Sequence, residues 1–246
     1  MSAATVNGDH VVIEALRLSY ERWGQTVNAL DGVSLSVPRG QWLILVGHNG
    51  SGKTSLLRVL SGRAVPDSGL ANINGQAAGG MKASELAQTV FLIHQDPLLG
   101  TAPDLTVFEN LAVADPKVAS VSKRSLHAKY GEMLRPLGLA DRMKQPAQTL
   151  SGGERQLLAL LIARLRPASL ILLDEPLAAL DPSKTERCLA EIADLRKAGK
   201  TIVQVTHDPE LASKLGDRTV VMRAGKIVHD ATLQTRTSET LRSHWF

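Results

Sequence analysis

Four stretches of this chain are apolar almost without interruption: WLILV at 42–46, TVFLI at 89–93, SLILLD at 169–174 and TIVQVT at 201–206. Runs of this length without polar alternation predict strands covered on both faces, as in a parallel sheet. Helical spacing follows the first run, in TSLLRVL at 54–60, and separates the last two, in SKTERCLAEIADLRKA at 183–198. Asp181-Pro182 supplies an N-cap and a first-turn proline for the second of these helices, and Gly199 stops it. Nearer the N-terminus the pattern changes. VVIEALRL at 11–18 and VSLSV at 33–37 are short β-type patterns around a polar turn, SYERWGQT at 19–26, and they predict a hairpin-rich sheet. LANI leads to Asn74-Gly75, a hairpin-turn pair, and TVVMRAGKIV at 219–228 closes on another glycine-centred hairpin. From Asp96 to about Ala147 the β signal fades, and LTVFENLAVA, SLHAKYGEMLRPLG and LADRM read as helices broken by Pro and Gly. Strands alternating with helices argue for an α/β fold with a mostly parallel sheet and ligand loops at the strand C-termini.

Composition bounds this picture without identifying the protein. The 246 residues are 43% hydrophobic, enough for one large α/β domain or a core with a subdomain. The 28 Lys and Arg against 24 Asp and Glu leave a net charge of +4, which suits an anionic ligand or a membrane-proximal surface and requires no nucleic acid. Cys188 is the single cysteine, so an internal disulfide framework and CxxC metal spacing are excluded, and a reducing compartment is expected. MSAATVNGDH has neither a basic n-region nor an apolar h-region, and no apolar run approaches the ~18 residues of a membrane span. The expectation is a cytoplasmic chain that meets a membrane only through a partner.

The candidate chemistry sits where these strands end. GHNGSGKT, residues 47–54, fills the pattern G-x-x-x-x-G-K-[ST] and lies between an expected strand and helix. Backbone amides from Gly47, His48, Asn49, Gly50, Ser51 and Gly52, continuing to Ser55 in the first helical turn, are placed to curl around phosphate oxygens. Lys53 would neutralise β and γ charge and the Thr54 hydroxyl would ligate Mg²⁺. LILLDE delivers Asp174 to the sheet edge, where it can share that metal, and leaves Glu175 to polarise attacking water. His207, after TIVQVT, reaches the same edge, where a neutral imidazole could contact the γ-phosphate and the water. Gln95, after TVFLIH, could reach metal or water through its amide oxygen. A second anion site is read from LSGGERQ at 150–156: Ser151, Gly152 and Gly153 stand at the N-terminus of an apolar helix, where unpaired N–H groups and the helix dipole favour a phosphate.

Taken in order, GHNGSGKT, Gln95, LSGGERQ, LILLDEP, AALD and His207 resemble the ATP-binding cassette ATPases, the nucleotide-binding subunits of membrane transporters, over about residues 11–230. LSGGERQ is that family's signature. The resemblance implies a P-loop NTPase core with a mostly parallel sheet, an N-terminal antiparallel β subdomain and an inserted α-helical subdomain. The implied division is core at 1–95 and 150–230, a helical subdomain at 96–149 that receives a permease helix, and a short tail at 231–246. Two copies would pack head to tail, with Ser151 and Gly153 of one reading the γ-phosphate bound at Lys53 of the other, and Asp181 in the loop that crosses the interface. Gln95 would couple nucleotide to the permease. Tyr20, 33 residues before Lys53, fits the ring that stacks on adenine, with Trp23 as its rival. Glu154, Ile162 and Ala178 depart from the family's common residues, although none is a catalytic group, and QDPLLGTAPDLTVFENLAVA resembles bacterial importer ATPases.

The function implied is hydrolysis of MgATP at a head-to-tail homodimer interface to drive transport, with import the expected direction. ATP and Mg²⁺ are the implied cofactors. A permease, a second copy and an extracytoplasmic substrate-binding protein are the implied partners, at the inner face of the cell membrane. The alternatives are a non-transport member of the superfamily and a P-loop small-molecule kinase, which would leave LSGGERQ without a purpose.

Overall fold

The alternating N-terminal pattern folds into β1 (Asp9–Arg22) and β2 (Gln25–Pro38), an antiparallel pair longer than the two short strands expected. Pairing continues through Tyr20↔Val27 and Glu21↔Thr26, and the Thr26 hydroxyl donates to Glu21 Oε1 at 2.7 Å. Much of the expected polar turn is therefore strand, because Tyr, Val and Thr suit cross-strand packing whatever the polarity around them. The computed structural model describes residues 8–22, 24–178 and 180–244, so Trp23 lies outside the described residues. The described chain clusters into two units. One comprises residues up to 92 with 169–175 and those from 199 onward, and the other comprises 93–168 with 176–198.

The first unit holds two sheets. After β3 (Trp42–Val46) and α1 (Lys53–Leu60), β4 (Ser68–Ile73) and β5 (Gln76–Ala77) join the hairpin in a four-stranded antiparallel sheet of order β2-β1-β4-β5. A short helix absent from the expectations, α2 (Ala83–Thr89), precedes β6 (Val90–Ile93). With β7 (Leu170–Asp174), β8 (Thr201–Thr206), β9 (Arg218–Arg223) and β10 (Lys226–Thr232), the second sheet has the order β10-β9-β3-β8-β7-β6. β9, β3, β8 and β7 are mutually parallel, and β10 turns back antiparallel to β9. All residues of β3 and β8 are buried, which is why these strands are continuously apolar. One core joins the two sheets, with Leu16, Val33, Leu43, Leu45, Leu57, Leu60 and Val203 among its members.

The second unit is helical. It contains α3 (Val107–Ala114), α4 (Lys123–Leu134), α5 (Gly152–Leu165) and α6 (Pro182–Lys197). α5 packs on α3, on α6 and on the 3₁₀ turn Pro97–Gly100. Gly100 allows that last approach, since a Cβ there would stand 3.1 Å from Ala159 Cβ. Thr106 caps α3 in a capping box with Glu109, and Asp181 caps α6 by accepting from Lys184 N at 2.9 Å. Caps of this kind contribute about 1 kcal/mol each. At the far end of α3, buried Asp115 accepts from Lys129 Nζ at 2.5 Å and Tyr130 Oη at 3.1 Å, fixing α3 to α4. Grouping by contact thus places α5 and α6 with the helices of 96–149, α5 through α3 and the Pro97–Gly100 turn and α6 through α5.

The first unit is completed by α7 (Pro209–Lys214) and α8 (Ser238–Ser243). The segment after β10 is anchored by Arg236, whose buried guanidinium donates to Ser213 O at 3.1 Å, Gly216 O at 2.8 Å, Thr219 Oγ1 at 2.6 Å and Leu215 O. Those carbonyls lie at and beyond the C-terminal end of α7, where a cation complements the helix dipole.

Candidate functional site

Parallel pairing puts the C-terminal ends of β3, β8 and β7 side by side on one edge of the sheet. β3 ends at Val46 and runs into the loop 47–54. β8 ends at Thr206, immediately before His207, and β7 ends at Asp174, immediately before Glu175. Residues far apart in sequence are brought together here by register alone.

The loop is set by contacts that a side chain would block. A Cβ on Gly47 would lie 2.2 Å from Met222 O and 2.7 Å from Ser51 Oγ. Gly52 has φ +104, and a Cβ there would meet Ala29 O at 2.5 Å. Only glycine satisfies both the conformation and the contact at that position. Gly52 is the N-cap of α1, so the helix begins with Lys53 and directs its first N–H groups at the loop. Lys53 is buried, and its Nζ donates to Gly47 O at 2.6 Å and His48 O at 2.9 Å, with Ser51 Oγ at 3.4 Å. Burial lowers its pKa, and the charges of Glu175 and Asp174 oppose that shift. His48, Asn49 and Gly50 are exposed, Ser51 is buried and Ser55 is half-buried in the first turn of α1.

Thr54 Oγ1 stands 3.5 Å from Asp174 Oδ1. Burial raises the pKa of Asp174 and Glu175 adds to the rise, against Thr54, Lys53 and Arg58. Hydroxyl and carboxylate oxygens of this kind suit a hard divalent cation, whose charge would offset the cost of ionising Asp174 where it stands. The donor set therefore fits Mg²⁺, and the glycine-shaped loop with its buried lysine fits a polyphosphate.

Glu175 has φ +50, a left-handed conformation that costs a residue with a Cβ about 1–2 kcal/mol. Two bonds hold it: its N–H donates to Val205 O at 3.2 Å, and its Oε2 lies 2.8 Å from His207 Nδ1. An ionised carboxylate only accepts, so Nδ1 carries the hydrogen and Nε2 of a neutral ring is left as an acceptor. Strain concentrated at the end of β7 is the kind that accompanies function.

Tyr20 is half-buried and packs against the core of the first unit, and its hydroxyl is buried with no hydrogen-bond partner among the described residues. Gln95 belongs to the second unit and is exposed, between β6 and the turn at Pro97. In that unit Ser151 is the N-cap of α5. Its Oγ accepts from Glu154 N at 3.3 Å, and Glu154 Oε2 accepts from Ser151 N at 2.7 Å, a reciprocal capping box. Burial works to raise the pKa of Glu154, but the hydrogen bonds from Ser151 and the charges of Arg142 and Lys184 leave it lowered. The glutamate in this signature thus acts as an ionised cap. Gly152 is exposed and Gly153 buried, and a Cβ on Gly153 would lie 2.4 Å from Lys184 Cδ. Lys184 Nζ also pairs with Asp181 Oδ2 at 2.9 Å, so its side chain joins the signature turn to the loop before α6. Sequence reasoning missed Lys184, although its place three residues after an N-cap aspartate was the available signal. The β9–β10 hairpin was expected, but its contact with the loop was not: Gly225 N donates to Ser51 O at 3.0 Å.

Residues 30–178 match the ABC transporter family. The chain is 37% identical over 208 residues to the cobalt import ATP-binding protein CbiO of Rhodobacter capsulatus, covering 82% of this chain and 72% of that one. It is 37% identical over 223 residues to the methionine import ATP-binding protein MetN of Rhizobium johnstonii, covering 88% of this chain but 60% of the relative. Against the spermidine/putrescine import ATP-binding protein PotA of Pseudomonas aeruginosa it is 38% identical, covering 81% of this chain and 54% of the relative. The chain therefore spans little more than half the length of some curated relatives. Among solved structures, a dimeric post-hydrolysis state of the ATP-binding cassette MJ0796 bound to ADP and Pi superposes with a TM-score of 0.78 at 25% identity, covering 91% of this chain and 98% of that one. With the sheet edge, the phosphate loop and these relatives in view, the chain belongs to the ABC transporter family.

Proposed function

We propose that this chain, an ABC transporter ATPase subunit of importer type, hydrolyses MgATP at two composite sites in a head-to-tail dimer and so drives a membrane permease. The observation that carries the reading is the convergence of Lys53, Thr54, Asp174, Glu175 and His207 on one sheet edge, with Glu175 and His207 paired at 2.8 Å. Loop amides from Gly47 to Ser55 would cradle the phosphates, and the Lys53 ammonium would neutralise their β and γ oxygens. Thr54 and Asp174, with Gln95, would hold Mg²⁺, which would offset charge developing on the phosphate oxygens. Glu175 takes the proton of the attacking water. His207, with Nδ1–H committed to Glu175, fixes that carboxylate and offers Nε2 to the water. Ser151, Gly152 and Gly153 of the second copy would close over the γ-phosphate, with Asp181 crossing the interface beside them, and Tyr20 would stack on adenine. Catalysis is then mainly positioning and electrostatic stabilisation.

Among the described residues no helix is long and apolar enough to cross a membrane. Attachment to the inner face of the cell membrane would therefore run through the permease, which would contact 96–149, and an extracytoplasmic binding protein would deliver the cargo. The named relatives are import ATP-binding proteins, and a kinase reading leaves the signature turn unused. Phosphate release tests the proposal: the native chain should release phosphate from MgATP, whereas Glu175→Gln should bind ATP and release phosphate at least ~100-fold more slowly, the scale of a lost general base. Turnover within twofold of the native rate in that variant would remove Glu175 from its role.

A further inference from the structure

Two glycines of the phosphate loop owe their positions to segments that the loop's own motif does not include. Gly47 abuts Met222 O, at the end of β9, and Gly52 lies against Ala29 O of β2 and Gly225 Cα, 3.4 Å from where its Cβ would stand. Between them, Ser51 O accepts from Gly225 N at 3.0 Å, and Gly225 O in turn accepts from Asp31 N at 2.9 Å. Asp31 is held on its outer side by Lys226 Nζ at 3.0 Å and by Arg17. A chain of backbone hydrogen bonds therefore runs from β2, through the β9–β10 turn, into the middle of the loop. Gly225 has φ +76, and a Cβ on it would press on Ala29 O at 3.0 Å and Asp31 N at 3.2 Å, so no other residue fits without displacing the turn.

We propose that the Ala224–Gly225 turn is a brace for the phosphate loop, and that Gly225 is a positioning residue for nucleotide binding. The inference rests on the reading of residues 47–54 as the polyphosphate site. Ser51 Oγ lies 3.4 Å from Lys53 Nζ and beside Gly47, so a shift of the Ser51 peptide moves the lysine's surroundings and the loop amides together. The brace acts on phosphate affinity through the loop and touches no reacting atom.

The test compares Gly225→Ala with Gly75→Ala. Gly75, in the β4–β5 turn, has φ +78 with nothing within 4 Å of an added Cβ, so it carries the same backbone penalty without contact to the loop. KM for ATP in the phosphate-release assay and Kd for ADP by titration calorimetry are measured for both variants and the native chain. The expected result is a rise of about tenfold in both constants for Gly225→Ala, with Gly75→Ala within twofold of native. A purely structural loss lowers the active fraction and therefore the maximal rate, and it leaves KM and Kd unchanged. Unchanged constants in Gly225→Ala would overturn the brace. Should that variant fail to fold, Gly225→Asn, which tolerates the left-handed region, gives the same readout. A native chain that binds neither nucleotide would overturn the phosphate-loop reading itself, and with it the brace.

Discussion

Acid should weaken the sheet at its opposite edge through one buried histidine. His10, 1% exposed at the start of β1, lies between Thr201 Oγ1 at 2.5 Å from Nδ1 and Ser169 Oγ at 3.0 Å from Nε2. It thereby ties the hairpin to the beginnings of β7 and β8. Burial, reinforced by the Arg39 charge, lowers its pKa from 6.5 to about 4. Because the folded value is the lower one, the unfolded chain binds the proton first, and stability falls as pH drops from about 6.5 toward 4. That shift corresponds to about 2 kcal/mol lost at pH 5 and about 3 kcal/mol by pH 4. His10→Gln keeps a donor and an acceptor for the two hydroxyls and removes the titration. Urea unfolding of both proteins from pH 7.5 to 4.5 should show the native chain losing about 2.5 kcal/mol more than the variant, since the other titrating groups are common to both. Parallel pH profiles would refute the argument that His10 is held neutral by the fold.

Asp115→Ala should cost about 2–3 kcal/mol, because it leaves the Tyr130 hydroxyl buried without its acceptor and frees Lys129; Asp115→Asn should lose less, and hydrogen exchange should locate the loss in α3 and α4. Cys188 is fully buried in α6 with its pKa pushed up to about 12, burial being the main cause and Glu191 the second. It should not react with a thiol reagent at pH 8 until the chain unfolds, and rapid labelling of the folded chain would contradict the packing described.

Much of the candidate site was legible in the sequence because its signals are local. The central strands declare themselves by unbroken apolar runs, and the phosphate loop by glycines whose spacing the contacts at Gly47 and Gly52 explain. Asp181 as N-cap and Gly225 as the centre of a hairpin were readable for the same reason. What escaped depends on distant neighbours. The left-handed conformation of Glu175 follows from Val205 and His207, the full length of the first hairpin from cross-strand pairs, and the brace on Ser51 from a turn 174 residues further on. α2 has no buried residue, so it carries no apolar face for a sequence to display. Arg236 reads as a surface charge until its four carbonyl and hydroxyl acceptors are seen.

Sedimentation of Glu175→Gln tests most directly whether a second copy completes the site. With MgATP the variant should become a dimer, and adding Ser151→Asp, which sets a carboxylate against the partner's γ-phosphate while preserving an N-cap oxygen, should return it to monomer with ATP still bound. A dimer equally stable with Ser151→Asp, or one that forms without nucleotide, would contradict the shared site.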